Sequence, residues 1–92
     1  MRESVIEKYL VDRAKEVGAE VRKVKWIGRK SCPDRYWMHW QKRCWIELKA
    51  SGKDLEPAQW REIIRMREMG EEVKVFNSID AIDSWIVEWW YA

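Results

Sequence analysis

The chain has 92 residues, 47% apolar and 37% charged, with a formal net charge of +2. That length bounds it to one domain with a thin core, and 18 basic against 16 acidic residues leave no nucleic-acid partner forced by charge alone. No apolar run reaches the ~18 residues of a membrane helix, and the start Met1-Arg2-Glu3-Ser4 lacks the apolar stretch of a signal peptide, so a cytoplasmic protein without membrane attachment is expected.

Residues 3–17 read as a helix, because Val5, Ile6, Tyr9, Leu10, Ala14 and Val17 recur at a helical period and Gly18 follows as a stop. Glu3 and Glu7 share the face bordering that stripe, a place where glutamates are ordinarily just solvated. Residues 20–27 read as a basic, partly exposed strand, followed by a loop from Gly28 to Pro33 that carries Arg29 and Lys30. Proline at 33 lacks an N–H and holds Cys32 extended, so Asp34 begins the next strand, residues 34–40. Tyr36, Met38 and Trp40 alternate there with Arg35, Trp37 and His39. Gln41-Lys42-Arg43 is a link of hairpin length.

The third strand covers residues 43–49, with Cys44, Ile46 and Leu48 facing the core and Trp45, Glu47 and Lys49 facing away from it. Residues 57–69 read as a helix opened by Pro57, with Trp60, Ile63, Ile64 and Met66 or Arg67 inward and Gly70 at its end. Residues 72–76 form a fourth strand, and the strand–helix–strand link predicts a parallel, right-handed crossover. Ser78 is the expected N-cap of a last helix carrying Ile79, Ile82, Ile86 and Trp89. The order is helix, three strands, helix, strand, helix, an α/β domain over residues 1–92.

Chemistry concentrates at Asp34, Glu47 and Lys49. Glu47 and Lys49 sit two apart on one strand, hence on one face roughly 7 Å apart, and Asp34 opens the neighbouring strand. Carboxylates converging at the end of a sheet suit a hard, oxygen-seeking cation. A lysine beside them suits a phosphate-bearing substrate. Arg22, Lys23, Lys25, Arg29 and Lys30, then Arg35, Lys42 and Arg43, form acid-free stretches on either side; an ordinary mixed surface would read the same way, but so would a flank built to hold phosphates. His39 with Cys32 and Cys44 would make only three zinc ligands at spacings that match no zinc pattern, and the strand reading turns Cys44 inward and His39 outward. Two cysteines make no disulfide framework. Eight tryptophans are many for 92 residues; Trp26, Trp37, Trp40 and Trp45 surround the suspected site, and Trp85, Trp89 and Trp90 cluster near the C-terminus, either as core or as a dimer interface.

The run Pro33-Asp34, Ile46-Glu47-Leu48-Lys49-Ala50 and Leu55-X-Pro57-X-Gln59 resembles the PD-(D/E)XK nuclease superfamily and, more narrowly, the VRR-NUC domain, over nearly the whole chain. Ile6-Glu7 with Leu10 and Gly18, Gly28, Gly70, Val73-X-Val75 and Ser78 extend the resemblance. It departs where the family often has glycine ahead of the Pro-Asp pair; here Ser31 and Cys32 stand. The resemblance implies a restriction-endonuclease-like αβββαβα core, a mixed four-stranded sheet flanked by helices. It implies that Glu7, Asp34, Glu47 and the backbone carbonyl of Leu48 bind Mg²⁺ or Mn²⁺, that Lys49 orients or deprotonates water or stabilises the phosphate, and that Gln59 supports it. Arg29, Lys30, Arg35 and Lys53 are the candidate DNA contacts. Small family members from phages and bacteria act as homodimers that resolve four-way (Holliday) junctions, so the expected partners are branched DNA and a second copy, in a bacterial or phage-infected cell, with no small-molecule cofactor. A flap or nicking nuclease, a non-catalytic DNA-binding module and a tryptophan-rich protein-interaction module are the competing readings.

Overall fold

The structure is a computed structural model, and it describes residues 1–91. The elements run α1 (Glu3–Val17), β1 (Glu20–Lys23), β2 (Arg35–Met38), β3 (Arg43–Leu48), α2 (Pro57–Glu68), β4 (Val73–Phe76) and α3 (Ile79–Trp90). The four strands lie in sequence order in one sheet. β1–β2 and β2–β3 are antiparallel, and β3–β4 is parallel, as the crossover through α2 requires. This is the αβββαβα order with a mixed sheet that the sequence predicts.

Alternation along the strands sends side chains to two differently covered faces. Trp37, Cys44, Ile46, Leu48 and Phe76 pack with Ile6, Leu10 and Ala14 of α1 and Ile82, Trp85, Ile86 and Trp89 of α3. On the other face Trp45, Val73 and Val75 meet Leu55 and, from α2, Ile63 and Met66, with Trp26 alongside. The helices start and stop where their sequences dictate. Gly18 takes a left-handed φ of 79° and closes α1 with N–H bonds back to Ala14 and Lys15. Ser78 Oγ accepts from Ala81 N at 3.1 Å at the start of α3.

Several expectations change. The first strand is short: after a last bond from Val24 N to the Asp34 carbonyl (2.7 Å) the chain leaves the sheet, and Ile27 is exposed. On α2, Ile63 and Met66 face the core, whereas Trp60, Ile64 and Arg67 lie toward solvent. The covered stripe on α2 is narrow because α2 alone covers its face of the sheet.

His39 is the clearest reversal. It is buried on the α1/α3 face, the same face as Cys44, because Trp37 pairs with Cys44 and His39 shares its parity. Its Nδ1 accepts from Gln41 N at 3.0 Å, which leaves the proton on Nε2 to donate to the Val17 carbonyl at 2.8 Å. His39 thus ties the end of β2 to the end of α1. Burial pushes the Cys44 thiol up to about 12, far from a thiolate ligand.

The tryptophan-rich C-terminus is core. Trp85 and Trp89 are buried against Trp37, with edge-on ring contacts at 5.0 and 5.7 Å, and Phe76 joins Trp85 at 5.5 Å. Among the described apolar residues of this stretch, Val87 and Tyr91 are exposed and Trp90 is half-buried.

Candidate active site

β2 begins and β3 ends at the same edge of the sheet, beside the first turns of α1. Arg35 pairs with Ile46 across β2 and β3, and one further step of that register sets Asp34 opposite Glu47. Asp34 is held from both sides. Its carbonyl accepts from Val24 N, and the preceding Pro33 carbonyl accepts from the Trp26 indole N–H at 2.8 Å. The Trp26 ring lies tilted against Trp45 (5.0 Å between centroids), and Trp45 against Tyr36 (4.7 Å). The tryptophans around the site are therefore its frame rather than its reagents.

Glu47 is 8% exposed and pairs across β3–β4 with Val75. Burial pushes its carboxyl up to about 7, and the charge of Asp34 pushes the same way; Lys49 and Arg35 pull it down, and Glu3 raises it. Among the described residues it forms no ion pair. Lys49 follows directly, its N–H bonded to the Phe76 carbonyl at 3.0 Å and its side chain half-buried. Glu47 and Lys49 share the α2 side of the sheet, while Leu48 between them is buried in the α1/α3 core.

Arg35 gives the site a feature that its sequence position does not announce. Its guanidinium is 7% exposed as a residue, ion-paired to Asp34 Oδ1 at 2.9 Å and to Glu7 Oε2. Burial pulls the guanidinium below its usual range, against the opposing fields of Glu3 and Glu47. Glu7 therefore turns toward Arg35. Among the described residues no three His, Cys, Asp or Glu side chains gather closely enough to hold a metal ion.

The donor set nonetheless fits a hard cation. Asp34 and Glu47 are opposed carboxylates whose mutual repulsion a cation would relieve, and Mg²⁺ commonly takes one or two carboxylates with waters and phosphate oxygens for the rest. Glu3 is an acid of this neighbourhood that sequence reading placed beside Glu7 without giving it a role; its field reaches both Glu47 and Arg35.

The remaining predicted residues divide. Gln59 caps α2: its Oε1 accepts from Glu56 N at 2.9 Å, which leaves only its amide N–H₂ for other work. Lys30 and Lys53 are exposed, as a backbone contact requires. Arg29 forks onto Glu62 with bonds of 3.2 and 2.8 Å, so its charge is already matched. Arg35 is buried within the carboxylates and does not reach a passing strand. Each arginine meets an acid supplied by an element distant in sequence, Glu62 on α2 and Glu7 on α1.

No protein-family model matches the chain. It is 36% identical over 81 residues, 87% of its own length and 87% of the relative's, to a protein named "Putative nuclease p44" from Acyrthosiphon pisum secondary endosymbiont phage 1. A solved VRR-NUC domain superposes with a TM-score of 0.82 at 30% identity, with 94% of each chain covered.

The chain belongs to the VRR-NUC family.

In this VRR-NUC chain the αβββαβα order carries the Pro33-Asp34 and Glu47-X-Lys49 pair to one sheet edge. The Ser31 that stands near a frequent family glycine adopts φ 65°, the left-handed region that glycine enters without steric cost. Ser31 therefore carries its side chain in a backbone conformation that costs it some strain.

Proposed function

We propose that this VRR-NUC chain acts over residues 1–92 as one divalent-metal-dependent DNA endonuclease domain, hydrolysing phosphodiester bonds in structured or branched DNA. The observation that carries this reading is the placement of Asp34 opposite Glu47 at the sheet edge, with Lys49 on the same face of β3 as Glu47.

Asp34, Glu47 and the Leu48 carbonyl would hold Mg²⁺ or Mn²⁺, and Glu7 would join on release from Arg35. A cation there supplies an acidified water and neutralises charge on the phosphate. Lys49 would orient or deprotonate that water, or take up charge on the scissile phosphate. The free amide N–H₂ of Gln59 would support Lys49 from the first turn of α2. Lys30 and Lys53 would hold the DNA backbone. Arg35, held between Asp34 and Glu7, is a positioning residue that fixes one oxygen of each carboxylate.

Junction resolution by a homodimer is the preferred activity. Symmetric cuts in a four-way junction need two sites, and one chain of this size carries one. The phage relative that matches over 87% of both chains carries the name of a nuclease, which supports the nuclease part of this reading. The deciding experiment incubates the protein with labelled four-way junction, flap and linear duplex in Mg²⁺, Mn²⁺ or chelator. Paired symmetric cuts in the junction, lost in chelator and in Asp34→Asn and Glu47→Ala, are expected. Flap cutting without junction cutting would replace the resolvase reading with a flap nuclease. Binding without any cutting would leave a non-catalytic module.

A further inference from the structure

We propose that the end of β2 far from the carboxylates is a stacking subsite for an unpaired DNA base, with Trp40 as its platform and Arg43 as its phosphate contact. The proposal rests on the nuclease reading above and adds the kind of DNA that this chain would select. Trp40 is 79% exposed, an unusual state for the largest apolar side chain in a core-poor protein. One face of its ring is backed by the His39 ring, 5.7 Å away and inclined by 26°. His39 is itself fixed by its bonds to Val17 and Gln41. Trp40 therefore has a fixed ring beside it while most of its indole stays open to solvent.

Trp40 lines a groove of about 490 Å³ together with Glu20, Tyr36, Met38, His39 and Arg43. Among the described residues α2 contributes nothing to the groove, because it packs over Trp45, Val73 and Val75 instead. The groove and the candidate active site lie at opposite ends of the β2–β3 pair. β2 (Arg35–Met38) starts beside Asp34 and ends two residues before Trp40, which lies in the bend that follows the strand. The separation from Asp34 to Trp40 is at most about 20 Å along the chain.

Charge suits the same occupant. Arg43 lies opposite Met38, is exposed and has no ion pair among the described residues. The one acid in the groove wall, Glu20, is already matched by Arg22 at 2.8 Å. A planar, neutral base joined to an anionic backbone satisfies an open indole and an unmatched guanidinium together.

The test is fluorescence anisotropy in chelator, so that binding is read without chemistry. The probes are a labelled oligothymidine and a blunt duplex, each with wild type, Trp40→Ala, Trp40→Phe and Arg43→Ala. Circular dichroism confirms that each variant is folded. Trp40→Ala is expected to weaken oligothymidine binding roughly tenfold, Trp40→Phe to retain most of it, and Arg43→Ala to lower it and flatten its salt dependence. Unchanged oligothymidine binding by Trp40→Ala overturns the proposal. Equal losses on duplex and oligothymidine also overturn it, since they indicate a general backbone contact. A drop in oligomeric mass by light scattering with unaltered DNA affinity overturns it in favour of a second copy on this face. Cleavage is read separately with wild type in Mg²⁺ or Mn²⁺: a protein that cuts no DNA removes the nuclease reading and leaves the stacking result to stand on its own.

Discussion

Glu47 shows at the scale of one residue what a site of this kind costs the fold. Its carboxyl holds a proton up to about pH 7 in the folded protein, against 4.5 for an ordinary glutamate. Between those values the folded state binds more protons than the unfolded chain, so stability falls as pH rises, and the loss is complete above the folded value. Glu47→Gln removes the penalty. In chelator at about pH 8 it should raise unfolding free energy by ~2–3 kcal/mol, with the gain vanishing below about pH 4.5. Urea unfolding at both pH values checks this; equal stability of the two proteins at the higher pH would contradict the buried, ionised carboxylate. Ser31 is a second local cost. Its φ of 65° is natural for glycine, so Ser31→Gly should stabilise by ~0.5–1 kcal/mol, read as a higher thermal midpoint. A lower midpoint would mean that the serine side chain does something that this conformation conceals.

Elements hold the site through contacts that the site does not use. β2 is anchored at one end by Trp26 on the Pro33 carbonyl and at the other by His39 on the end of α1. α3 supports the sheet from beneath through Trp85, which touches Trp37, Phe76 and Trp89. Trp85→Ala should cost ~3–5 kcal/mol, a large part of the stability of so small a domain. Chemical denaturation measures it, and a loss below ~1 kcal/mol would show that the C-terminal tryptophans are less integral than their burial indicates. The element pattern itself was readable in the chain: six of the seven elements fall within about two residues of the periodicity reading. The exception is β1, read over residues 20–27 on an imperfect alternation, whose pairing with β2 stops at Lys23. Hydrogen-bond partners, not side-chain pattern, end a strand.

For the whole molecule, pairing leaves few of the predicted DNA contacts free. Of Arg29, Lys30, Arg35 and Lys53, only the two lysines keep unmatched, exposed charge. For the homodimer proposed above, two phosphate contacts from each protomer predict a slope of log K against log salt of roughly −3.6 for duplex, whereas four from each would give roughly −7.2. Anisotropy titrations in chelator across a salt series measure it, and the steeper value would show that DNA draws the arginines away from Glu62 and Glu7. A dimer must also form without Trp85 and Trp89, since both lie inside the protomer. No helix among the described residues is long and apolar enough to cross a membrane.

The sequence by itself determined the order of elements and the residues that bear chemistry. Caps, glycines and hydrophobic periods act within a few residues, and strand parity fixes that Glu47 and Lys49 share a face once the strand exists. It also marked Asp34, through the proline that sets where β2 begins. Only the tertiary structure decided which charges are spent and which rings are buried. Arg29 meets Glu62, and Arg35 meets Glu7, across 33 and 28 positions of chain. His39 and Trp40 are neighbours in sequence, yet one is locked in the core and the other stands in solvent. Parity is a local property of the backbone, but burial and ion pairing depend on which distant element covers each face, and that is settled only when the helices pack on the sheet.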